Sequence, residues 1–313
     1  MKIVKKYLKF VVSAGMILIV SLKVDFRGVF TKISHVPIEV FIFGIVGYFL
    51  TLLISTYRWW KLAKAAGVKC SFGRTLSAAL IGAYANTFGL GTVGGDLIKG
   101  ALLSSGDSSR TAALASVAAD RVLGLGVLAG IGVISAGLVT LPGQAHSYVL
   151  VAVAVVILGT LAWFFIPTIL GMLSMTGRVS KILKEASKAF PRDRAILVEV
   201  LSLGVLFHIA QFLVVAVMVS MMGIKIPLPY FFAALPIANI GGTLPLSWMG
   251  LGVREGLYIL LFSPTYMTSE NAIVFSMLWF VSIMGASVIG GVVAVLTGDL
   301  SQTRNEGSKP VDP

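Results

Sequence analysis

Long apolar stretches, interrupted by short basic or glycine-rich segments, set the pattern of this chain. They do not alternate apolar and polar positions over ten-residue segments, which removes an outer-membrane barrel, and they match the length of about 20 residues that a helix needs to cross a bilayer. Behind Lys2, Lys5, Lys6 and Lys9, an apolar run over 10–22 has the look of a signal peptide, yet Ser21-Leu22-Lys23 offers no small-x-small cleavage site. It reads as an uncleaved first span that starts in the cytoplasm, its lysines snorkelling to the interface. A second span is expected over about 36–57. It delivers the chain to Arg58, Trp59, Trp60, Lys61, Lys64, Lys69 and Arg74, the aromatic and basic mixture expected of a cytoplasmic interface, with Trp59-Trp60 as an interfacial belt.

The segment 75–93 decides the topology. It is apolar enough to cross, but it runs into Gly89, Gly91, Gly94 and Gly95, and only 97–103, broken by Lys99 and Gly100, separates it from a polar loop. A full crossing would invert every later span and put Arg178, Lys181, Lys184, Lys188, Arg192 and Arg194 outside, against the positive-inside rule. The pattern therefore predicts a re-entrant hairpin dipping in from the cytoplasm, a shape tolerated where protein or a water cavity surrounds the bent backbone. A long helix over 111–141, an uncharged outer loop over 142–147 and a span over 148–170 follow. After the basic loop come a span over about 200–222 and then 226–262, rich in proline (Pro227, Pro229, Pro236, Pro245) and glycine, which reads as a second hairpin entering from the outer side. A last span over 272–296 returns the chain inside, leaving a polar tail at 301–313 expected to be disordered. The fold class expected is thus all-α: a polytopic transmembrane bundle of about six full spans plus two re-entrant hairpins, forming one domain over 1–300.

Composition sharpens this picture. The 313 residues are 57% hydrophobic and 12% charged, with mean hydropathy +0.95. About a quarter of the residues in a soluble domain are charged, so the chain has too little polar surface to cover a water-soluble globule. The net charge of +12 is read as cytoplasmic loops held near anionic lipid, not as a nucleic-acid surface. Cys70 has no second thiol for a disulfide, and His35, His146 and His208 lie far apart. No HExxH, CxxC, GxSxG or phosphate-binding GxxxxGK[ST] occurs. No metal, cofactor or catalytic constellation is expected.

The candidate chemistry lies in the hairpins and in one helix. Ala85-Asn86 precedes Gly94-Gly95-Asp96-Leu97-Ile98-Lys99-Gly100, and Ala238-Asn239 precedes Gly250-Leu251-Gly252-Val253-Arg254-Glu255-Gly256. Each half reads as an asparagine, a glycine-rich break, then an acid beside a cation. Hairpins entering from opposite faces would make this an inverted repeat, the layout in which transporters bind substrate near the midplane. Asp120 and Arg121 fall near the middle of the 111–141 helix, where a charge costs about 2.5–3.5 kcal/mol by insertion scales unless it faces water or a partner. Neighbours on a helix do not face each other, so each needs a partner of its own, expected among Asp96, Lys99, Arg254 and Glu255. Arginine forks and half-helix N-termini suit an anionic lipid head group. The competing reading makes these residues structural ion pairs that pin the hairpins. His208 and Gln211 share a helix face and read as interhelical hydrogen-bond partners, while Asn86 and Asn239 also suit freed backbone groups.

Asn86-Thr87 through Gly94-Gly95-Asp96, then Asp120-Arg121-Val122-Leu123-Gly124-Leu125, then Leu244-Pro245 through Gly250 to Gly256, together resemble the lysylphosphatidylglycerol synthase transmembrane (flippase-like) family. The resemblance runs from about Trp59 to the last helix. It implies a polytopic inner-membrane protein, the best-understood relatives of which move an aminoacylated phospholipid between leaflets. It places Asp96, Asp120, Arg121, Arg254 and Glu255 on the family's polar positions. Leu90 stands where proline is common and Lys99 where arginine is usual, which bears on the stiffness of the first tip and on any forked contact there. No aminoacyl-transfer domain follows, so synthesis of lysyl-lipid is not expected. The function expected is a lipid or lipid-linked precursor translocase in a prokaryotic cytoplasmic membrane, N-terminus inside, with Asn86, Gly94, Gly95, Asp96, Lys99, Asp120, Arg121, Asn239, Arg254 and Glu255 around an anionic head group. The alternatives are a scaffold that presents lipid to a separate transferase and, last, a membrane-embedded transferase using Asp96 or Glu255 as base.

Overall fold

The computed structural model describes residues 26–104, 109–139, 185–243, 250–263 and 265–297, with short pieces between 153 and 182. The expected first span, the 142–147 loop, most of the 148–170 span, residues 244–249 of the third family block and the polar tail lie outside the described residues.

Every regular element among the described residues is helical: α1 (Phe26–Ser34), α2 (Ile38–Ala65), α3 (Phe72–Ala85), a π-helical turn (Asn86–Leu90), α4 (Gly91–Leu103), α5 (Arg110–Ala136), α6 (Arg194–Met221), α7 (Leu228–Thr243), α8 (Val253–Phe262) and α9 (Ser269–Thr297). Helices α2, α5, α6 and α9 have 28, 27, 28 and 29 residues and are apolar enough to cross a membrane. At about 1.5 Å per residue each reaches roughly 40 Å, more than the ~30 Å hydrocarbon layer. Apolar side chains point outward along them: Ile134, Val295 and Leu296 are each more than 70% exposed. On a water-soluble protein such faces would be a liability, whereas acyl chains cover them without cost.

The chain divides into two compact units, with one boundary inside each of the four long helices and a fifth between Gly159 and Thr160. The first comprises Met1–Thr51, Leu125–Gly159 and Val205–Ile283. Its core is aromatic, with Phe212, Phe231, Tyr258, Phe262 and Phe275 all buried. Helices α7 and α8 fold against each other as a hairpin. Gly250 (φ 75°) and Gly252 (φ 84°) turn the chain into α8 in the left-handed region that side chains resist. A Cβ on Gly250 would also stand 2.6 Å from the Gly242 carbonyl oxygen.

The second unit comprises Leu52–Gly124, Thr160–Gly204 and Met284–Pro313. Here α3, its first turn capped by Ser71 Oγ accepting the Arg74 N–H at 3.3 Å, leads through the π turn into α4, which folds back along it. With 14 and 13 residues, these helices are each about 20 Å long, too short to cross alone. Gly82 and Gly95 let the two backbones meet, and a Cβ on Gly95 would overlap the Gly82 carbonyl. Helix α9 closes on the hairpin in the same way: Gly290 lies against the Leu80 backbone, Gly291 against the Tyr84 ring, and Thr87 Oγ1 pairs with Ser287 Oγ at 3.1 Å. Small residues and hydroxyls are how helices associate where no hydrophobic effect drives them together.

The pattern reading and the structure part at α2. The helix does not stop at Tyr57 but continues to Ala65, carrying Arg58 and Trp59 with it. Trp59 is 0% exposed and therefore belongs to no surface belt. Half-buried Trp60 instead donates its indole N–H to the Cys70 carbonyl at 3.1 Å and packs beside Tyr57 and Phe72.

Candidate functional site

In the second unit, α2, α4 and α5 each bring charged residues to one cluster. Asp120 on α5 is 6% exposed and accepts a hydrogen bond from Arg58 Nε at 2.8 Å. Arg58, 4% exposed, has room because Gly124, one turn further along α5, carries no side chain, and a Cβ there would lie 3.2 Å from Arg58 Nη2. One turn the other way, Ser116 Oγ accepts the Trp59 indole N–H at 3.1 Å. Two adjacent residues of α2 thus lock onto two positions of α5 spaced by four, which lie on one helix face.

Arg121 turns to α4. Its Nε and Nη2 donate to Asp96 Oδ2 and Oδ1, both at 2.8 Å, a two-pronged pairing that fixes both planes. This pair is the open part of the cluster: the Arg121 side chain is 47% exposed and that of Asp96 19%. Three residues on from Asp96, half-buried Lys99 runs its stem past Gly82 and sets Nζ over the Trp59 ring, 4.5 Å from the centroid. Among the described residues no carboxylate is within ion-pair distance of its ammonium. Gly94 and Gly95 lie inside α4, which follows the π turn without a break, so no helix N-terminus opens after Gly95 as the sequence suggested; Gly95 backs onto Asn86, whose Oδ1 is buried with no donor among the described residues.

The first unit holds a second cluster, at the start of α8. Glu255 Oε2 accepts the Gly252 N–H, and Oε1 accepts from Ser276 Oγ at 2.6 Å and from Arg254 Nη2 at 3.5 Å. Arg254 Nε donates to Ser276 Oγ at 3.2 Å, and its guanidinium lies over the Phe280 ring. Both charged residues are under 10% exposed. Asn239 on α7 donates to Gln211 on α6 at 3.4 Å, so Gln211 serves the hairpin, while His208 is buried beside Phe207 and Phe212.

Asp120 and Arg121 do take separate partners, as the geometry of a helix demands. The partner of Asp120, however, is Arg58, a residue that the sequence assigns to an interface loop. Ser116 and Ser276 complete the clusters without having been singled out, and Trp59, read as an interfacial residue, is buried among them. Only the cost of a charge at depth could have pointed to Arg58, as one more cation at the end of an apolar run. The two clusters also differ in charge. Arg254 and Glu255 pair with each other, whereas the second-unit cluster gathers Arg58, Lys99 and Arg121 with Asp96 and Asp120.

Compared with protein-family models, residues 7–291 of the chain match the lysylphosphatidylglycerol synthase TM region. The chain belongs to that family. No curated protein matches its sequence. As a lysylphosphatidylglycerol synthase TM-region protein it is a multi-pass membrane protein. Of this TM-region protein's family-pattern polar residues, Asp96, Asp120 and Arg121 stand together in the second unit, and Arg254 and Glu255 in the first. Lys99 offers a compact ammonium where an arginine would offer a fork.

Proposed function

We propose that this protein translocates a membrane lipid or lipid-linked precursor across a prokaryotic cytoplasmic membrane, holding its anionic head group at the Arg121–Asp96–Lys99 edge of the second unit while the acyl tails stay in the bilayer. The observation that carries this reading is a half-exposed arginine fork inside a buried charged cluster. Arg121 lies about 17 Å along α5 from Arg110, counting ~1.5 Å per residue. A charge at that depth is stable against water or protein, not against hydrocarbon, so its exposed edge calls for a polar cavity. Purely structural ion pairs would be sealed, as Arg254–Glu255–Ser276 is. That second cluster then serves to hold the α7–α8 hairpin in place.

Helices α3 and α4, and α7 and α8, are short enough to dip into the membrane and return, and each hairpin turns at glycine. Lys61, Lys64, Lys69 and Arg74 around the α2–α3 connection, and Lys188 and Arg192 before α6 with Arg194 at its first residue, support a cytoplasmic location for those connections and an N-terminus inside. Without a phosphate-binding loop for ATP, movement would be downhill or coupled to an ion. No nucleophile is needed.

The test is reconstitution of the full chain in liposomes with fluorescent phospholipids, following loss of label from one leaflet. Wild type should exchange lipid between leaflets, and Asp96→Asn and Arg121→Gln should each slow it at least about tenfold, as expected when a charge-assisted pair is broken. Equal rates in wild type, variants and empty liposomes would overturn the proposal. A separate transferase co-purifying in equal amounts, with no exchange, would favour lipid presentation instead.

A further inference from the structure

Where α1 ends, α6 ends and α9 begins, the first unit encloses a cavity of about 520 Å³, lined by no member of either polar cluster. That is the size of a pocket for a small ligand, roughly 300–1,000 Å³. Val36, Met222, Ile224 and Val274 make its lining partly apolar, and Lys32, His35 and Asn271 bring hydrogen-bonding groups to it. Two of these groups have capacity left over. Lys32 Nζ donates to Thr268 Oγ1 at 2.9 Å and to Glu270 Oε2 at 3.5 Å. An ammonium has three donors, so one is left without an acceptor among the described residues. His35 Nδ1 lies 2.6 Å from the Thr31 carbonyl oxygen. A carbonyl only accepts, so Nδ1 carries the proton, and Nε2 of the neutral ring keeps a bare lone pair. No described residue donates to it. Three residues apart at the last turn of α1, a cationic donor and a neutral acceptor therefore line one cavity.

We propose that this cavity binds a zwitterionic phosphoamine, a phosphate ester whose short chain ends in an ammonium. The phosphate accepts from the remaining Lys32 donor and from the Asn271 side-chain amide, the ammonium donates to His35 Nε2, and the carbons between them rest on the apolar part of the lining. Charge decides between this ligand and a plain anion. Lys32 already has Glu270 as its counter-charge. A phosphodiester without a cation would set a second negative charge beside that carboxylate, whereas a phosphoamine brings its own cation with it. A contact between a charged donor and phosphate is roughly twice as strong as a neutral one, so Lys32 fixes where the phosphate sits and His35 reads the other end. A lipid head group and a free phosphoamine in solution offer the same chemistry. The site is independent of the translocation reading, because it uses no residue of the Arg121–Asp96–Lys99 edge. Only its placement on the outer side follows from the topology proposed above.

The full chain in detergent is titrated with glycerophosphoethanolamine, glycerophosphoglycerol and dihexanoyl-phosphatidylethanolamine, and bound states are counted by native mass spectrometry. Wild type should bind glycerophosphoethanolamine about tenfold or more tightly than glycerophosphoglycerol, the scale of one charge-assisted contact. Lys32→Gln and His35→Ala should each weaken that binding about tenfold. Neither change opens the core, since Lys32 is half-buried and His35 exposed, and the thermal midpoint of each variant should stay at the wild-type value. Tighter binding of the short-chain lipid than of its water-soluble head group would assign the site to membrane-anchored phosphoamines, and equal or weaker binding would assign it to free ones. Either result supports the proposal. No binding of either phosphoamine at millimolar concentration would overturn it, as would equally tight binding of glycerophosphoglycerol, and neither measurement needs a variant. Binding at full strength in both variants would overturn it as well. Absence of lipid exchange in liposomes would sink the translocation reading and leave this site standing.

Discussion

The Asp120–Arg58 contact shows what single residues decide. Both side chains are almost fully buried, so removing one leaves the other charged with no counter-charge, which costs about 3–5 kcal/mol, while replacing both by apolar residues of similar volume costs far less. Asp120→Ala should therefore lower the thermal midpoint in detergent by several degrees or prevent folding. The double variant Arg58→Met/Asp120→Leu should recover most of the loss. A double variant as unstable as the single would show that the pair is not the unit of stability. At this scale the sequence was half legible. The rule that helix neighbours face apart predicted separate partners for Asp120 and Arg121, and both have them. Arg58 was hidden because a cation at the end of an apolar run looks the same whether the helix stops there or continues. Only the packing of α2 on α5, residues distant in sequence, settles which.

Among elements, the two hairpins were the most legible. Glycine runs after Asn86 and around Gly250 mark breaks in otherwise apolar segments, and the helices on either side do fold back. The π turn at Asn86–Leu90 has no comparable signal, since its residues suit an α-helix as well. Nor did the pattern show how α9 grips the α3–α4 hairpin, because a glycine pair in an apolar helix gains meaning only from what lies opposite. Gly290→Leu should force α9 away from the Leu80 backbone, which the hairpin must answer by moving. In lipid vesicles, a cysteine placed at exposed Val93 should then react with a water-soluble maleimide at a rate changed at least severalfold, while the same cysteine in the wild-type background keeps its original rate. Identical rates would show that this helix contact does not position the hairpin.

For the whole molecule, the repeated order of asparagine, glycine break and charged pair did reappear as one hairpin and one polar cluster per unit. The difference between those clusters was not legible, because it depends on where Arg58 and Ser276 end up. A sealed cluster and an open one imply different sensitivities. Substituting Ser276→Ala leaves both Glu255 Oε1 and Arg254 Nε short of a partner and should cost stability, about 1–3 kcal/mol, with lipid exchange by the folded fraction unchanged. Lys99→Gln should do the reverse. Orientation is tested by cysteines at Lys69 and Thr265 in oriented membranes: the first should label from the cytoplasmic side only and the second from the opposite side only. Labelling of both from one side would break the proposed topology.

The seat of Lys99 on the indole of Trp59 also turns the protein into its own optical gauge. A cation against that ring perturbs its excited state, so when a phosphate draws the ammonium away, the emission of this one tryptophan should shift. Subtracting the signal of Trp59→Phe isolates it from the other four among the chain's five tryptophans. Head-group arrival could then be followed in real time, in an unlabelled protein and with unlabelled lipid.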